Sequence, residues 1–395
     1  MSATDDEIIS RFPIGYHQLH SNISLNFQMN RFYNWVGEEE MLDEMKAASA
    51  RIFSYEDWTR EMLNLSDEAL AAGRNFAAAY YSRGAQFFLE PDDPRFKPAL
   101  QRFMDNVEAH SGITPNNTYA VPYQEGQLSA YRFTPERPRG TIVVFGGYDS
   151  YIAEWLPAAI ALRDAGMDTV IFDGPGQGTA LDAGMPMTPD WHLPVAAVLD
   201  YFDLSDVTLM GFSLGGCLVM RAAAREPRVS RVIAWDVFTD LFESSTRGFG
   251  AVGLDNISAY SESIPDEVVN AAVEAVAGAD LLTQWVFSQG ERVMAASTPA
   301  NVFRAWRDYT TGDVSPQITQ DVLLMAGTKD HYVPLHMFGD QVLTLSAARS
   351  VSARVFTETE QAQNHCQIGN QGLAIKVIFD WLDAVGGRKA EPANQ

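Results

Sequence analysis

Cysteine is nearly absent from this chain: Cys217 and Cys366 are the only two in 395 residues. Two thiols make no disulfide framework and here have no metal-ligand spacing, so both read as reduced, unpaired and packed. Basic residues are scarce too, 28 Lys and Arg against 51 Asp and Glu, for a net charge of −23. Such a surface repels nucleic acid and anionic membranes, so a small molecule is the expected partner; a homodimer is left open. No apolar run reaches the ~18 residues that cross a bilayer. Residues 1–10 carry Asp5, Asp6 and Glu7 where a secretory leader needs basic charge followed by an apolar stretch, so a cytoplasmic protein is expected. There is no His-Glu-x-x-His, paired-cysteine motif or calcium loop, and no metal or cofactor is expected. Asp173-Gly174-Pro175-Gly176-Gln177-Gly178 lacks the Lys-Ser/Thr ending of a phosphate loop and reads as structural.

What is present is an ordinary globular composition, 46% hydrophobic and 20% charged, on a chain long enough for one large core and an appendage. Residues 1–117 have few strand candidates. Three- and four-residue apolar spacing predicts helices over 38–45, 66–89 and 94–110, the second capped by Ser66 or Asp67 and stopped by Pro91. A turn-rich stretch at 111–117 then changes the pattern. Strands are expected at 119–123 and 128–133, followed by an alternation of strands (141–145, 169–172, 207–210) with helices (152–165, 191–201, 214–224). Strands separated by helices imply parallel crossovers. Further strands are expected at 232–235, 322–325 and 353–357, and a closing helix at 372–385. The alternation breaks over 239–316, where Pro265 opens one helix and Thr298-Pro299 another, which reads as a helical insertion roofing the strand ends. The expected organisation is a helical domain over 1–117, an α/β core over 118–238 and 317–395, and a lid over 239–316, with a polar, frayed tail from Gly387.

Gly211-Phe212-Ser213-Leu214-Gly215 falls where a strand runs into a helix. Gly-x-Ser-x-Gly at such a junction describes a nucleophile elbow, a sharp turn on which small flanking residues let strand and helix approach. Alone the pattern is modest evidence, since it arises by chance in roughly one chain of this length in eight. A serine hydroxyl needs a base, and the base an orienting carboxylate. Asp330, just after a predicted strand, and His365, between the last strand and the last helix, complete the order serine, acid, histidine at strand C-terminal ends. Asp236 and Asp340 compete for the acid's role. His331 and His336 precede the last strand and fit the base less well. Negative charge on an attacked carbonyl needs donors, expected from the N–H groups of Leu214 and of Tyr148 or Gly147 in the Gly146-Gly147-Tyr148 turn.

These segments, with Glu154, Gly327-Thr328-Lys329-Asp330, His365-Cys366-Gln367 and Phe379-Asp380-Trp381-Leu382, resemble the α/β-hydrolase superfamily across 140–385. Within it the chain is similar to a group with an N-terminal helical domain, that of 2,6-dihydroxypseudooxynicotine hydrolase and the fungal polyketide-shortening hydrolases. The resemblance implies a mostly parallel, about eight-stranded sheet flanked by helices, and a carbonyl-directed hydrolase. Members cleave carbon–carbon bonds between two carbonyls, while others are esterases. It further implies an auxiliary carboxyl group after the strand that follows the elbow, for which Asp236, Asp240 and Glu243 are candidates. The leading expectation is C–C cleavage of a β-diketone or polyketide-like molecule by Ser213, His365 and Asp330. Ester hydrolysis, acyl transfer or cyclisation with the same triad, and a non-catalytic ligand-binding protein, are the alternatives. Trp285, Phe287, Phe303 and Trp306 are expected either to line an apolar pocket or to form the core of the lid.

Overall fold

The structure is a computed structural model that describes residues 4–246 and 264–386. The tail from Gly387 and part of the expected lid, 247–263, lie outside the described residues. Eight strands form one sheet: β1 (Thr118–Tyr123), β2 (Gly126–Phe133), β3 (Gly140–Phe145), β4 (Met167–Phe172), β5 (Val207–Phe212), β6 (Val229–Trp235), β7 (Asp321–Gly327) and β8 (Ser350–Phe356). The order is β1-β2-β4-β3-β5-β6-β7-β8. β1 and β2 form a hairpin, β2 runs antiparallel to β4, and every pair from β4 through β8 is parallel.

Both faces of the sheet are covered, so its central strands are apolar on both sides. Ile142 and Val144 of β3, Met210 and Phe212 of β5, and Ile233 and Trp235 of β6 belong to one hydrophobic cluster. Their neighbours Val143, Phe145, Leu209, Val232 and Ala234 belong to the other. The period of two in side-chain direction sorts each strand between two cores. The first cluster is shared with the N-terminal helices through Leu25, Phe32, Trp58, Tyr80 and Phe103, so those helices are packed onto one face of the sheet.

Five longer helices precede β1: Ile23–Val36, Glu40–Ser49, Tyr55–Ala71, Asn75–Phe87 and Phe96–His110. Asn22 caps the first by accepting from the N–H groups of Ser24 and Leu25, and Gly37, in the left-handed region at φ 75°, ends it. The single helix expected over 66–89 is two. Ser54, not Ser66 or Asp67, caps Tyr55–Ala71, and Gly73 at φ 76° turns the chain before Asn75. Ser66 lies mid-helix, fully buried, with its hydroxyl donated to the Ala78 carbonyl at 2.8 Å. Apolar spacing continues across this break because both helices face the same core, and only Gly73 signals the turn. Between β6 and β7 stand the helices Leu241–Thr246, Asp266–Ala277, Leu281–Val293 and Pro299–Trp306. No helix among the described residues is long and apolar enough to cross a membrane.

A buried ion cluster joins the N-terminal helices to the sheet. Glu154, fully buried after β3, accepts from Arg83 at 2.6 Å and from Arg31 at 2.8 Å. Arg31 also reaches Asp149 at 3.2 Å, and Arg83 donates to the Asp149 carbonyl at 2.7 Å. Burial alone would raise the Glu154 carboxyl, but Arg31 and Arg83 reverse this and hold it below its ordinary value. Glu154→Gln would leave two buried guanidinium groups short of a counter-charge, with an expected loss of about 3–5 kcal/mol, read as a lower urea midpoint. Because the folded carboxyl is depressed, the stabilisation is full above its unfolded value and fades as pH falls through the folded one. The gap between wild type and Glu154→Gln should therefore narrow in acid.

Candidate active site

Ser213 follows β5 at φ 60°, a left-handed conformation that costs a non-glycine residue roughly 1–2 kcal/mol. Two backbone bonds of 2.8 Å hold the turn, Ser213 N–H to the Trp235 carbonyl and Gly216 N–H to the Ser213 carbonyl. The helix Gly215–Ala223 starts two residues on. His365 stands in a short turn after β8, where Cys366 and Gln367 also have positive φ, 49° and 50°. Asp330 follows β7. The structure brings the three together: Ser213 Oγ lies 2.8 Å from His365 Nε2, and His365 Nδ1 lies 2.6 Å from Asp330 Oδ2. The other Asp330 oxygen accepts from the N–H groups of Tyr332 and Val333 at 2.7 and 2.9 Å, which fixes the carboxylate.

Asp236 also meets the imidazole. It follows β6 at φ 78°, its side chain is 1% exposed, and its Oδ2 is 2.8 Å from His365 Nδ1. It accepts as well from the Cys366 N–H and, at 3.1 Å, from Gln367 Nε2. His365 Nδ1 therefore faces two carboxylates, one from each strand end. Burial alone would depress the ring, and Asp330, with Asp236 behind it, reverses this and pushes its pKa well above the ordinary value. Asp330 is itself raised by burial, against the pull of His365.

The other candidates lie elsewhere. Asp240 accepts from the Glu243 N–H, and Glu243 pairs with His336 at the surface at 2.8 Å, so neither reaches the imidazole. Asp340 is exposed on the helix Leu335–Thr344.

Leu214 and Tyr148 line the cavity beside Ser213. Among the described residues the N–H groups of Gly147, Tyr148 and Leu214 make no hydrogen bond. Gly147 presses against the elbow so closely that a Cβ there would stand 2.9 Å from Leu214 N. Gln177, from the segment read as structural, donates to the Gly146 and Gly147 carbonyls at 2.6 and 3.1 Å and so fixes the peptide groups of that loop. Asp173 of the same segment, its pKa raised to about 7 by burial, accepts from the N–H groups of Ile152 and Thr179. Helices between β6 and β7 brace the loop: Gln289 donates to the Tyr148 carbonyl at 2.8 Å, and Trp306 Nε1 to the Tyr148 hydroxyl at 3.1 Å.

The cavity over Ser213 measures about 740 Å³. Of the four aromatic residues expected there, Trp285 lines it. Phe287, Phe303 and Trp306 are instead packed on one another at 5.3 to 5.6 Å as the lid's own core. Their apolar spacing along helices does not distinguish a wall from a core. The wall also carries Phe27 and Arg31 from the helix Ile23–Val36. No motif singled them out, because only the packing of the N-terminal helices on the sheet brings them here. His331 and Tyr332 also face the cavity, and adjacency to Asp330 was the one sequence signal available for them.

Asp236, His365 and Cys366 offer three potential metal-ligand atoms within 4.8 Å of one another. They are already engaged in hydrogen bonds around the imidazole. Burial pushes the Cys366 thiol up to about 12.

The sheet, the elbow after β5 and the acid and histidine after β7 and β8 define an α/β-hydrolase fold, and residues 140–247 match the family described as alpha/beta hydrolase fold. The protein is a hydrolase. Hydrolase LUC6 of a Fusarium species is 27% identical over 94% of this chain and 98% of its own length. The 20-hydroxy-prefusarin hydrolase FUS2 of Gibberella moniliformis is 26% identical over 84% of this chain and 86% of its own. Among solved structures, that of 2,6-dihydroxy-pseudo-oxynicotine hydrolase shares the fold with a TM-score of 0.63, covering 92% of this chain and 98% of that one at 22% identity.

Asp236→Asn removes a negative charge 2.8 Å from His365 Nδ1. The imidazolium is then less stabilised, so His365 stays neutral to lower pH. The His365 ring, followed by NMR, should titrate at lower pH in Asp236→Asn; an unmoved titration would count against contact between Asp236 and His365.

Proposed function

We propose that the protein is a serine hydrolase that cleaves the carbon–carbon bond between two carbonyls in a β-diketone or polyketide-like molecule. The observation that carries the reading is the continuous hydrogen-bonded chain from Ser213 through His365 to Asp330, beside a mostly apolar cavity of about 740 Å³. In this reading Ser213 Oγ attacks one carbonyl while His365 Nε2 takes its proton. Asp330, with Asp236, holds the ring and stabilises the imidazolium. The N–H groups of Leu214 and of Tyr148 or Gly147 receive the oxyanion. As the tetrahedral intermediate collapses, the carbon–carbon bond breaks and its electron pair passes to the departing carbon, which is stabilised as an enolate by the second carbonyl. The imidazolium returns the proton to that fragment. Water, deprotonated by His365, then releases the acyl group from Ser213 as a carboxylic acid.

Two considerations favour this bond over a simple ester. Members of the group that the motifs resemble cleave between two carbonyls, and the chain is similar over 84% of its length to a 20-hydroxy-prefusarin hydrolase. The site is also walled by residues from three separated parts of the chain, Phe27, Trp285 and Tyr332 among them, which suits a defined, bulky substrate better than open access to small esters. A carboxylesterase, or an acyl-transfer or cyclising enzyme, would use the same triad and differ only in what leaves and what accepts the acyl group.

Incubation with matched β-diketones and esters, with products identified by mass in isotopically labelled water, tests the reading. The expected result is two fragments from the diketone, one carrying a single solvent oxygen, with turnover reduced roughly 10⁴-fold or more in Ser213→Ala. Ester cleavage with an untouched diketone would move the assignment to a carboxylesterase. Full activity in a folded Ser213→Ala protein would remove Ser213 from the mechanism.

A further inference from the structure

Two polar atoms at the cavity have no role in the chain of proton transfers. His331 Nε2 and the Tyr332 hydroxyl are shielded from solvent and have no hydrogen-bond partner among the described residues, although both residues line the cavity. Buried polar groups in folded proteins are nearly always paired, so an unpaired couple at the wall of a ligand cavity marks where a ligand supplies the partner. Their placement is fixed. The Tyr332 N–H donates to Asp330, and the Tyr332 carbonyl accepts from Ser244 at 2.5 Å. The Tyr332 ring centre lies 5.0 Å from that of His365 and 3.9 Å from that of His331, and Phe27 closes over His331 at 4.8 Å. The pair is thus one ring's width from the imidazole that touches Ser213.

Both groups are neutral. Burial, with a smaller contribution from His365, lowers the His331 ring to about 3, and burial pushes the Tyr332 hydroxyl up, so it keeps its proton. A neutral imidazole and a phenol suit a neutral oxygen, and the Arg31 guanidinium on the wall is already engaged by Glu154 and Asp149. The phenol donates to a ketone or hydroxyl oxygen. The imidazole nitrogen accepts from an enol or hydroxyl, or in its other tautomer donates to a ketone.

We propose that Tyr332 and His331 form a neutral hydrogen-bonding subsite for a second oxygen of the substrate, the ketone, enol or hydroxyl two carbons beyond the carbonyl that faces Ser213. The proposal rests on the reading of Ser213 as the nucleophile and makes the 1,3-relation of the two oxygens the feature selected. An apolar ketone lacking the second oxygen leaves both groups unpaired in its complex, so the cavity discriminates against it.

The test uses two probes with one carbon skeleton, benzoylacetone and butyrophenone, the second lacking the outer oxygen. Their binding is followed by tryptophan fluorescence in Ser213→Ala protein, where no turnover interferes. Benzoylacetone should bind roughly tenfold tighter. Tyr332→Phe and His331→Leu, each added to that background, should bring the ratio toward one. The readout is the ratio, so a general loosening of the cavity moves both ligands together and counts against the subsite, as does equal binding at the start or a ratio that survives both substitutions. Failure of the hydrolase reading looks different. A protein with the expected preference whose wild type cleaves no diketone keeps the subsite and loses the C–C assignment, while Ser213-dependent cleavage with an unchanged ratio overturns the subsite alone.

Discussion

Three stretches of backbone meet at the centre of this molecule with no room for a methyl group between them. A Cβ on Gly211 would stand 2.1 Å from the Gly215 carbonyl oxygen, one on Gly215 would stand 2.7 Å from that of Gly146, and one on Gly216 would stand 2.0 Å from that of Asp236. This contact welds the elbow to the loop after β3 on one side and to the loop after β6 on the other. It brings the Leu214 N–H beside Gly147, and it seats Asp236, itself in a left-handed conformation, where its carboxylate meets His365. The strain at Ser213 and Asp236 persists because packing on all sides leaves no alternative path for the chain.

Around this centre the site is closed by polar fastenings that differ in kind. Below, Gln177 and Asp173 tie the loop after β3 into the sheet. Beside it, Glu154 with Arg31 and Arg83 anchors the N-terminal helices, and the same Arg31 forms part of the cavity wall, so fold attachment and site construction share a side chain. Above, the lid helix Leu281–Val293 is held through Gln289 and Tyr148, and its Trp285 stacks on Phe87 of the N-terminal helices at 5.3 Å. The cavity thus has walls from three separated parts of the chain, each fixed by contacts that do not involve a ligand.

Much of this was legible in the sequence. Strands 141–145 and 207–210 were recognisable because doubly covered strands are short apolar runs between turn signals, and Ser213, Asp330 and His365, which lie within hydrogen-bond distance of one another in the structure, stood out as residue types that a nucleophile, a base and an orienting acid would need at strand ends in that order. The helix expected over 66–89 failed at Gly73, since apolar periodicity records which side is buried and passes unchanged through a turn between two helices facing one core. The four lid aromatics separated into one wall residue and three core residues for a similar reason: burial marks each of them equally, whether the neighbour is protein or cavity.

What the sequence determined by itself was local chemistry: which turns tolerate a serine or demand a glycine, which runs alternate, which acidic and basic groups exist to be used. Asp236, Arg31, His331 and Tyr332 acquired their meaning only in three dimensions. Asp236 was one of several carboxyl groups near the right strand, and its 2.8 Å approach to His365 follows from the backbone contact with Gly216. Arg31 lies 182 positions before Ser213 in numbering, and no periodicity links residues so far apart. Their encounter depends on how the N-terminal helices pack against the sheet, a tertiary free-energy balance that one-dimensional spacing does not encode.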